Sequence, residues 1–253
     1  MDRLQRIVTI RETLSSGDAS LGSWLQIPHP EIAEILGDAG YDWVAIDLEH
    51  GSISIESIPS LCRALELGRT LPLARVASHQ IEECRRALDA GVGGVIVPGV
   101  EKRAVLENIR DACCWPPAGI RGVGFSRANL YGKYFQEYSE EAQAPLLVAQ
   151  IESSTAVDNL AEIASVEGLD AVFVGPYDLS ASLGYPGDFD HPLFLQAIEQ
   201  ILGICVKAQI PAGIHIIEPD EEKLRAALDQ GYRFIAYSID SVMLRLSARF
   251  PSL

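Results

Sequence analysis

Several polar residues of this 253-residue chain stand at the ends of apolar runs, where chemistry and burial compete. Asp47, Glu49 and His50 close the run Trp43 to Leu48, and Arg75 closes Pro72 to Ala74. Gln150 and Glu152 end Leu146 to Ile151, Asp178 follows Val174 after Gly175, Pro176 and Tyr177, and Trp24 and Gln26 belong to the first such run. A charge left unpaired in a core is costly, so these groups belong at a solvated rim or in pairs. Glu152 and Asp178 offer hard oxygen ligands with no cysteine or histidine beside them, which favours Mg²⁺, Mn²⁺ or Co²⁺ over a closed zinc site. Arg75 has the planar fork that reads a carboxylate or a developing enolate. His50 is the histidine of this set that can exchange a proton near neutral pH, with Asp47 three residues earlier to orient it.

The runs themselves read as buried parallel strands. They are Gly22 to Ile27, the stretch from Asp42, Pro72 to Val76, Val92 to Val97, Leu146 to Ile151, Asp170 to Val174, Ala212 to Ile216 and Phe234 to Tyr237. Helical pattern lies between them, Pro30 to Ala39, Ile55 to Leu67, Ile81 to Asp89 and Lys102 to Cys113 in the first half, and an amphipathic N-terminal helix precedes them all as an extra cap. Eight strands alternating with about eight helices give a single α/β domain over 1–253, a TIM (β/α)8 barrel. A doubly wound sheet would carry a glycine-rich fingerprint after its first strand. Gly91, Gly93 and Gly94 instead precede a strand and read as a helix-to-strand turn. Trp115 to about Glu140 holds too many prolines and glycines for a regular element and reads as one long irregular loop, functional or disordered.

In such a barrel the C-terminal strand ends converge on one site, which is why this set is hard to dismiss as chance. Singly, each residue has a plainer explanation. Trp24 can be packing at the mouth, and strand alternation points Glu49 away as a structural ion-pair partner. His29, His79 and His191 are explained by caps and solvent, and His215 by burial within a strand.

Composition narrows the partners. Thirty-five acids against 20 bases, a formal charge of -15, disfavour nucleic acid and anionic membranes. The N-terminus has no run of signal or membrane length. Five cysteines without metal-type spacing suggest reduced thiols in a cytoplasm.

The ordered segments DWVAIDLEHG, LARV, LDAGVGGVIVPGVE, GIRGVGFSRANLYG, VAQIESSTAVDNL and GPYDLSASLG resemble the HpcH/HpaI aldolases, metal-dependent class II pyruvate aldolases such as 4-hydroxy-2-oxoheptanedioate aldolase. The resemblance runs from about Leu21 to Ser238. It implies a TIM barrel whose C-terminal helix swaps onto a neighbour in a homo-oligomer, a trimer or hexamer. By the same resemblance Glu152 and Asp178 hold the metal with Gln150 beside them, Arg75 contacts pyruvate oxygens, His50 and Asp47 form the catalytic dyad, and Asp89 reaches an adjacent subunit's site. Gly175, Pro176 and the residue after them match a turn that binds the pyruvate carboxylate. That residue is Tyr177 where the family's heptanedioate enzymes carry alanine, and Leu48 replaces a glycine, so the aldehyde is left open.

The implied reaction is reversible cleavage of a 4-hydroxy-2-oxo acid to pyruvate, or a close analogue, and an aldehyde. A Schiff-base aldolase needs a strand lysine, and Lys102, Lys133, Lys207 and Lys223 all fall in helical or loop pattern. Decarboxylation of an oxaloacetate-type acid on the same enolate site and a non-catalytic keto-acid-binding barrel are the remaining alternatives. Within the Gly119 to Gly132 loop, Arg121 and Arg127 are expected to shape the acceptor pocket or to pair on the acidic surface.

Overall fold

A computed structural model describes residues 3–250. Eight parallel strands close into a barrel in chain order: β1 (Ser20–Leu25), β2 (Trp43–Asp47), β3 (Leu71–Arg75), β4 (Gly94–Val97), β5 (Leu146–Ile151), β6 (Ala171–Val174), β7 (Ala212–Ile216) and β8 (Phe234–Ile239). Helices α2 (Pro30–Asp38), α3 (Ile58–Leu67), α4 (Ile81–Ala90), α5 (Arg103–Cys113), α7 (Ser154–Asp158), α8 (Leu160–Ile163), α9 (Pro176–Ser182), α10 (Pro192–Ala208) and α11 (Glu221–Asp229) lie among the strand connections. The TIM barrel read from the sequence is the fold.

Two apolar layers hold it. Outward residues of the strands, such as Val44, Ile46, Val95 and Val172, pack under the helices. Inward residues, among them Trp43, Leu73, Ile96, Val148, Phe173 and Phe234, fill the interior. The N-terminal helix α1 (Arg3–Ser15) adds Ile7, Ile10 and Leu14 to that inner cluster, so it plugs the end of the barrel away from the strand C-termini. Gly22 makes room for the inner layer: a Cβ there would stand 2.1 Å from the Trp43 ring.

The long Trp115 to Glu140 segment is not wholly irregular. It contains a short 3₁₀ turn at Arg127–Asn129 and the helix α6 (Phe135–Glu141), which begins just past Gly132, the last breaker. Gly91 ends α4 in the left-handed conformation, φ +111°, as expected of a helix-to-strand turn. The last helix, α12 (Asp240–Ser247), buries only Asp240, whose carboxylate accepts from the Gln26 and Ile27 N–H groups past β1. No described helix is long and apolar enough to cross a membrane, and all five cysteines are buried and free.

Candidate active site

Strand register assembles the centre of the site. Asp47 is the register partner of Arg75 across β2 and β3, and the two side chains meet in a bidentate pair, Nε to Oδ1 at 3.0 Å and Nη2 to Oδ2 at 2.8 Å. Burial pushes the Asp47 carboxyl up, but hydrogen bonds and charge from Arg75 outweigh it and hold the group below its ordinary value. Gln26 Nε2 donates to Asp47 Oδ2 at 2.9 Å. The guanidinium lies 4.6 Å over the Trp24 ring, so Trp24 both packs the mouth and orients Arg75. Of five guanidinium N–H donors, at least one remains for a substrate oxygen.

Asp47 does not hold the His50 ring. Its Oδ1 accepts instead from the backbone N–H groups of Glu49 and His50, at 3.1 and 3.2 Å. The carboxylate therefore shapes the turn that carries an exposed His50 into the cavity. Glu49 corrects the alternation argument: β2 ends at Asp47, and in the turn beyond it the two-residue period lapses. Glu49 Oε2 lies 3.1 Å from Arg75 Nη1, and its charge acts on Glu152 across the site. It is an ion-pair partner, as expected, but one that points inward.

Glu152 follows β5 beside Gly175, which follows β6; a Cβ on Gly175 would come 2.7 Å from Glu152 Cγ, so glycine is required there. Glu152 accepts from Gly99 N at 2.6 Å and from Gln150 Nε2 at 2.5 Å. Burial, partly offset by that Gly99 N–H and reinforced by Glu49 and Asp178, pushes its carboxyl up to about 7. Asp178 is exposed on the first turn of α9. Gln150, 4% exposed, leaves Oε1 without a partner. Asp47 and Glu49 pair with the one guanidinium, and Glu152 and Asp178 lie within electrostatic reach of Glu49, a surplus of acidic groups that could hold a divalent cation between Glu152 and Asp178. Each Glu152 oxygen keeps a lone pair for it.

The Gly175 N–H is already given to the Ile151 carbonyl at 3.1 Å, and Pro176 has none. The donors left at this turn are the first-turn N–H groups of Tyr177 and Asp178. Tyr177's ring, 54% exposed, lies edge-on to Phe189 at 5.0 Å and stands on the rim. Asp47, His50, Arg75, Gln150, Tyr177 and Asp178 line a cavity of about 180 Å³, with Glu152 just behind Gln150 and Gly175.

Other residues singled out in the sequence lie away from this cavity. Asp89 ends α4, which runs back from β3, so it lies at the opposite end of its own barrel, where burial raises its carboxyl against the charge of Arg121. The Gly119 to Gly132 loop joins α5 to β5 at that same end and does not shape this chain's own pocket. Its Arg127 pairs with Glu66 at 2.5 Å, and Arg121 is buried against Trp115 and Tyr138. Among the remaining histidines, His29 and His191 cap α2 and α10, whereas His79 is not a cap: its Nε2 meets the Pro98 carbonyl at 2.6 Å. The sequence reading missed the place of His215, which lines the cavity.

The model of the HpcH/HpaI aldolase/citrate lyase family matches residues 20–246. The chain belongs to that family. A 4-hydroxy-2-oxovalerate aldolase of Novosphingobium aromaticivorans is 40% identical over 92% of this chain and 88% of its own. A hydroxypyruvate/pyruvate aldolase of Roseobacter denitrificans is 37% identical over 93% of this chain and 92% of its own. Among solved structures, an HpcH/HpaI aldolase/citrate lyase family protein from Burkholderia cenocepacia superposes with a TM-score of 0.88 at 32% identity, covering 95% of this chain and 96% of that one. Like its HpcH/HpaI relatives, the protein is a carbon–carbon lyase.

Proposed function

We propose that the protein reversibly cleaves a 4-hydroxy-2-oxo acid into pyruvate, or a close analogue, and an aldehyde. Glu152 and Asp178 would hold a divalent cation, Mg²⁺, Mn²⁺ or Co²⁺, that supplies Lewis-acid stabilisation to the enolate. The observation that carries this reading is the pairing of those two carboxylates, at the mouths of consecutive strands, with an Arg75 whose orientation Asp47, Glu49 and Trp24 fix from three sides. Arg75 adds positive charge where the enolate oxygen develops, pre-oriented and buried, which is where such a group is most effective. The Tyr177 and Asp178 N–H groups receive the keto-acid carboxylate. His50, at the solvated edge, takes the C4 hydroxyl proton in cleavage and the C3 proton in synthesis. The aldehyde enters past Tyr177.

The working form is a homo-oligomer. Phe125, 74% exposed, together with Ile120, Val123 and Tyr131 gives the far end an apolar surface suited to a second copy, and α12, barely buried on its own barrel, is free to pack on a neighbour. Pyruvate release from a panel of short, sugar-derived and dicarboxylic hydroxy-oxo acids, with and without added Mn²⁺, tests the reaction. Glu152→Ala and Asp178→Ala should each abolish metal-dependent turnover, and full activity in excess chelator overturns the metal-dependent reading.

A further inference from the structure

His215, on β7, shares the cavity with Arg75 and Gln150, and the reaction above leaves it without a task. Its ring lies against Trp24 with centroids 5.4 Å apart, and Trp24 meets Phe173 edge-on at 6.0 Å. Trp24 and Phe173 are 2% and 1% exposed, so His215 belongs to the floor of the cavity and not to its rim. Nε2 lies 3.1 Å from the Ser238 carbonyl. A carbonyl only accepts, so Nε2 carries the proton and Nδ1 presents a lone pair. Nδ1 has no hydrogen-bond partner among the described residues and is not sealed off by them. Burial, resisted by the Ser238 carbonyl and helped by the nearby charge of Arg75, pushes the ring's pKa down to about 3. The imidazole therefore stays neutral in the range where an aldolase works.

The two halves of the substrate are separated by depth. The keto acid occupies the floor, because Arg75 and Gln150, which meet its oxygens, are buried there; His50 and Tyr177 are exposed on the side from which the aldehyde arrives. A neutral acceptor on that floor is satisfied by a hydroxyl and left unpaired by a methyl group. We propose that His215 Nδ1 accepts a hydrogen bond from a hydroxyl on C3 of the keto acid, so that the enzyme selects 3-hydroxy-2-oxo acids over pyruvate. This rests on the aldolase reading and sharpens it. With hydroxypyruvate and an aldehyde, the C3–C4 bond forms, the C3 proton leaves through His50 and the new C4 oxygen gains a proton, so a 3,4-dihydroxy-2-oxo acid results with no atom lost.

The test uses the full-length protein with Mn²⁺, glycolaldehyde as the common acceptor, and hydroxypyruvate or pyruvate as the nucleophile. Wild type should favour hydroxypyruvate in kcat/KM by about tenfold or more. His215→Leu should lose that preference mainly through KM for hydroxypyruvate, the fall for hydroxypyruvate exceeding any change for pyruvate by about tenfold, and His215→Asn, which retains an acceptor, should keep part of it. A wild type that uses both keto acids equally, or a His215→Leu variant that lowers both alike, overturns the assignment of His215 and leaves the aldolase reading standing. A wild type that condenses neither keto acid overturns both. Should the leucine variant fail to fold, the wild-type ratio and the asparagine variant still decide.

Discussion

The pairing of Asp47 with Arg75 binds stability and chemistry into one unit. Both partners are buried, and cutting such a pair strands a charge. Asp47→Asn should therefore cost roughly 3 kcal/mol in urea unfolding, near the low end for buried pairs because Glu49 still faces Arg75. The sign of the pH dependence follows from the lowered carboxyl: its stabilisation is complete above the ordinary aspartate value and is lost as pH falls through the lower folded value. The asparagine variant should thus show a flatter acid limb in a stability-against-pH profile than wild type. His50→Ala, by contrast, should reduce kcat by about 10²-fold and leave the melting temperature and metal affinity unchanged, since the ring is exposed and bonded to nothing that holds the fold. A comparable loss of stability would make His50 a structural residue. Asp47, Arg75, Gln150 and Glu152 were legible because each ends an apolar run where a polar group needs a reason. The ion pair of Glu49 was foreseen but its direction was not, because the strand had stopped two residues earlier; the burial of His215 was foreseen but its place at the cavity was not, because a histidine inside a strand looks the same whether or not one nitrogen faces a cavity.

Elements divide the labour along the barrel axis. The strand C-termini carry the site, while α1 fills the other end with Ile7, Ile10 and Leu14 against Trp43 and Phe234, which themselves stack at 4.2 Å. Ile7 is completely buried, so Ile7→Ala should destabilise the protein by about 3 kcal/mol through lost burial and a residual cavity. Urea denaturation should register that loss with kcat and KM near wild-type values, because the plug and the catalytic groups are at opposite ends. A matched fall in kcat would show instead that α1 acts on the site. The strands were easy to place because apolar runs bounded by breakers have sharp edges: β5 and β7 begin and end where the sequence puts them. Helix α6 was hidden because the glycines before it marked the whole segment as loop, and nothing local announces that seven unbroken residues follow them. The placement of the Gly119 to Gly132 loop needed topology: a connection from α5 to β5 must run at the end where strands begin, so its arginines could not line this chain's own mouth.

At the scale of the whole molecule, Asp89 tests whether one barrel is a complete enzyme. It stands at the end of α4, across the barrel from Glu152 and Asp178, and within its own chain it has no path to them. If it serves a site, that site belongs to a second copy. Two inactive variants separate the possibilities. Asp89→Asn keeps an intact pair of carboxylates at its own strand ends, and Asp178→Asn keeps an intact Asp89, so neither should turn over substrate as a homo-oligomer. Co-expressed in equal amounts and allowed to assemble together, they should regain activity, because a barrel from the first variant can receive Asp89 from the second. Random assembly in a closed ring gives each barrel of the first kind a neighbour of the second kind about half the time, so about a quarter of the wild-type rate is expected. Dilution that dissociates the assembly should remove the regained activity. An Asp89→Asn protein that is fully active alone, or a co-assembled pair that stays inactive, would place Asp89 outside the reaction.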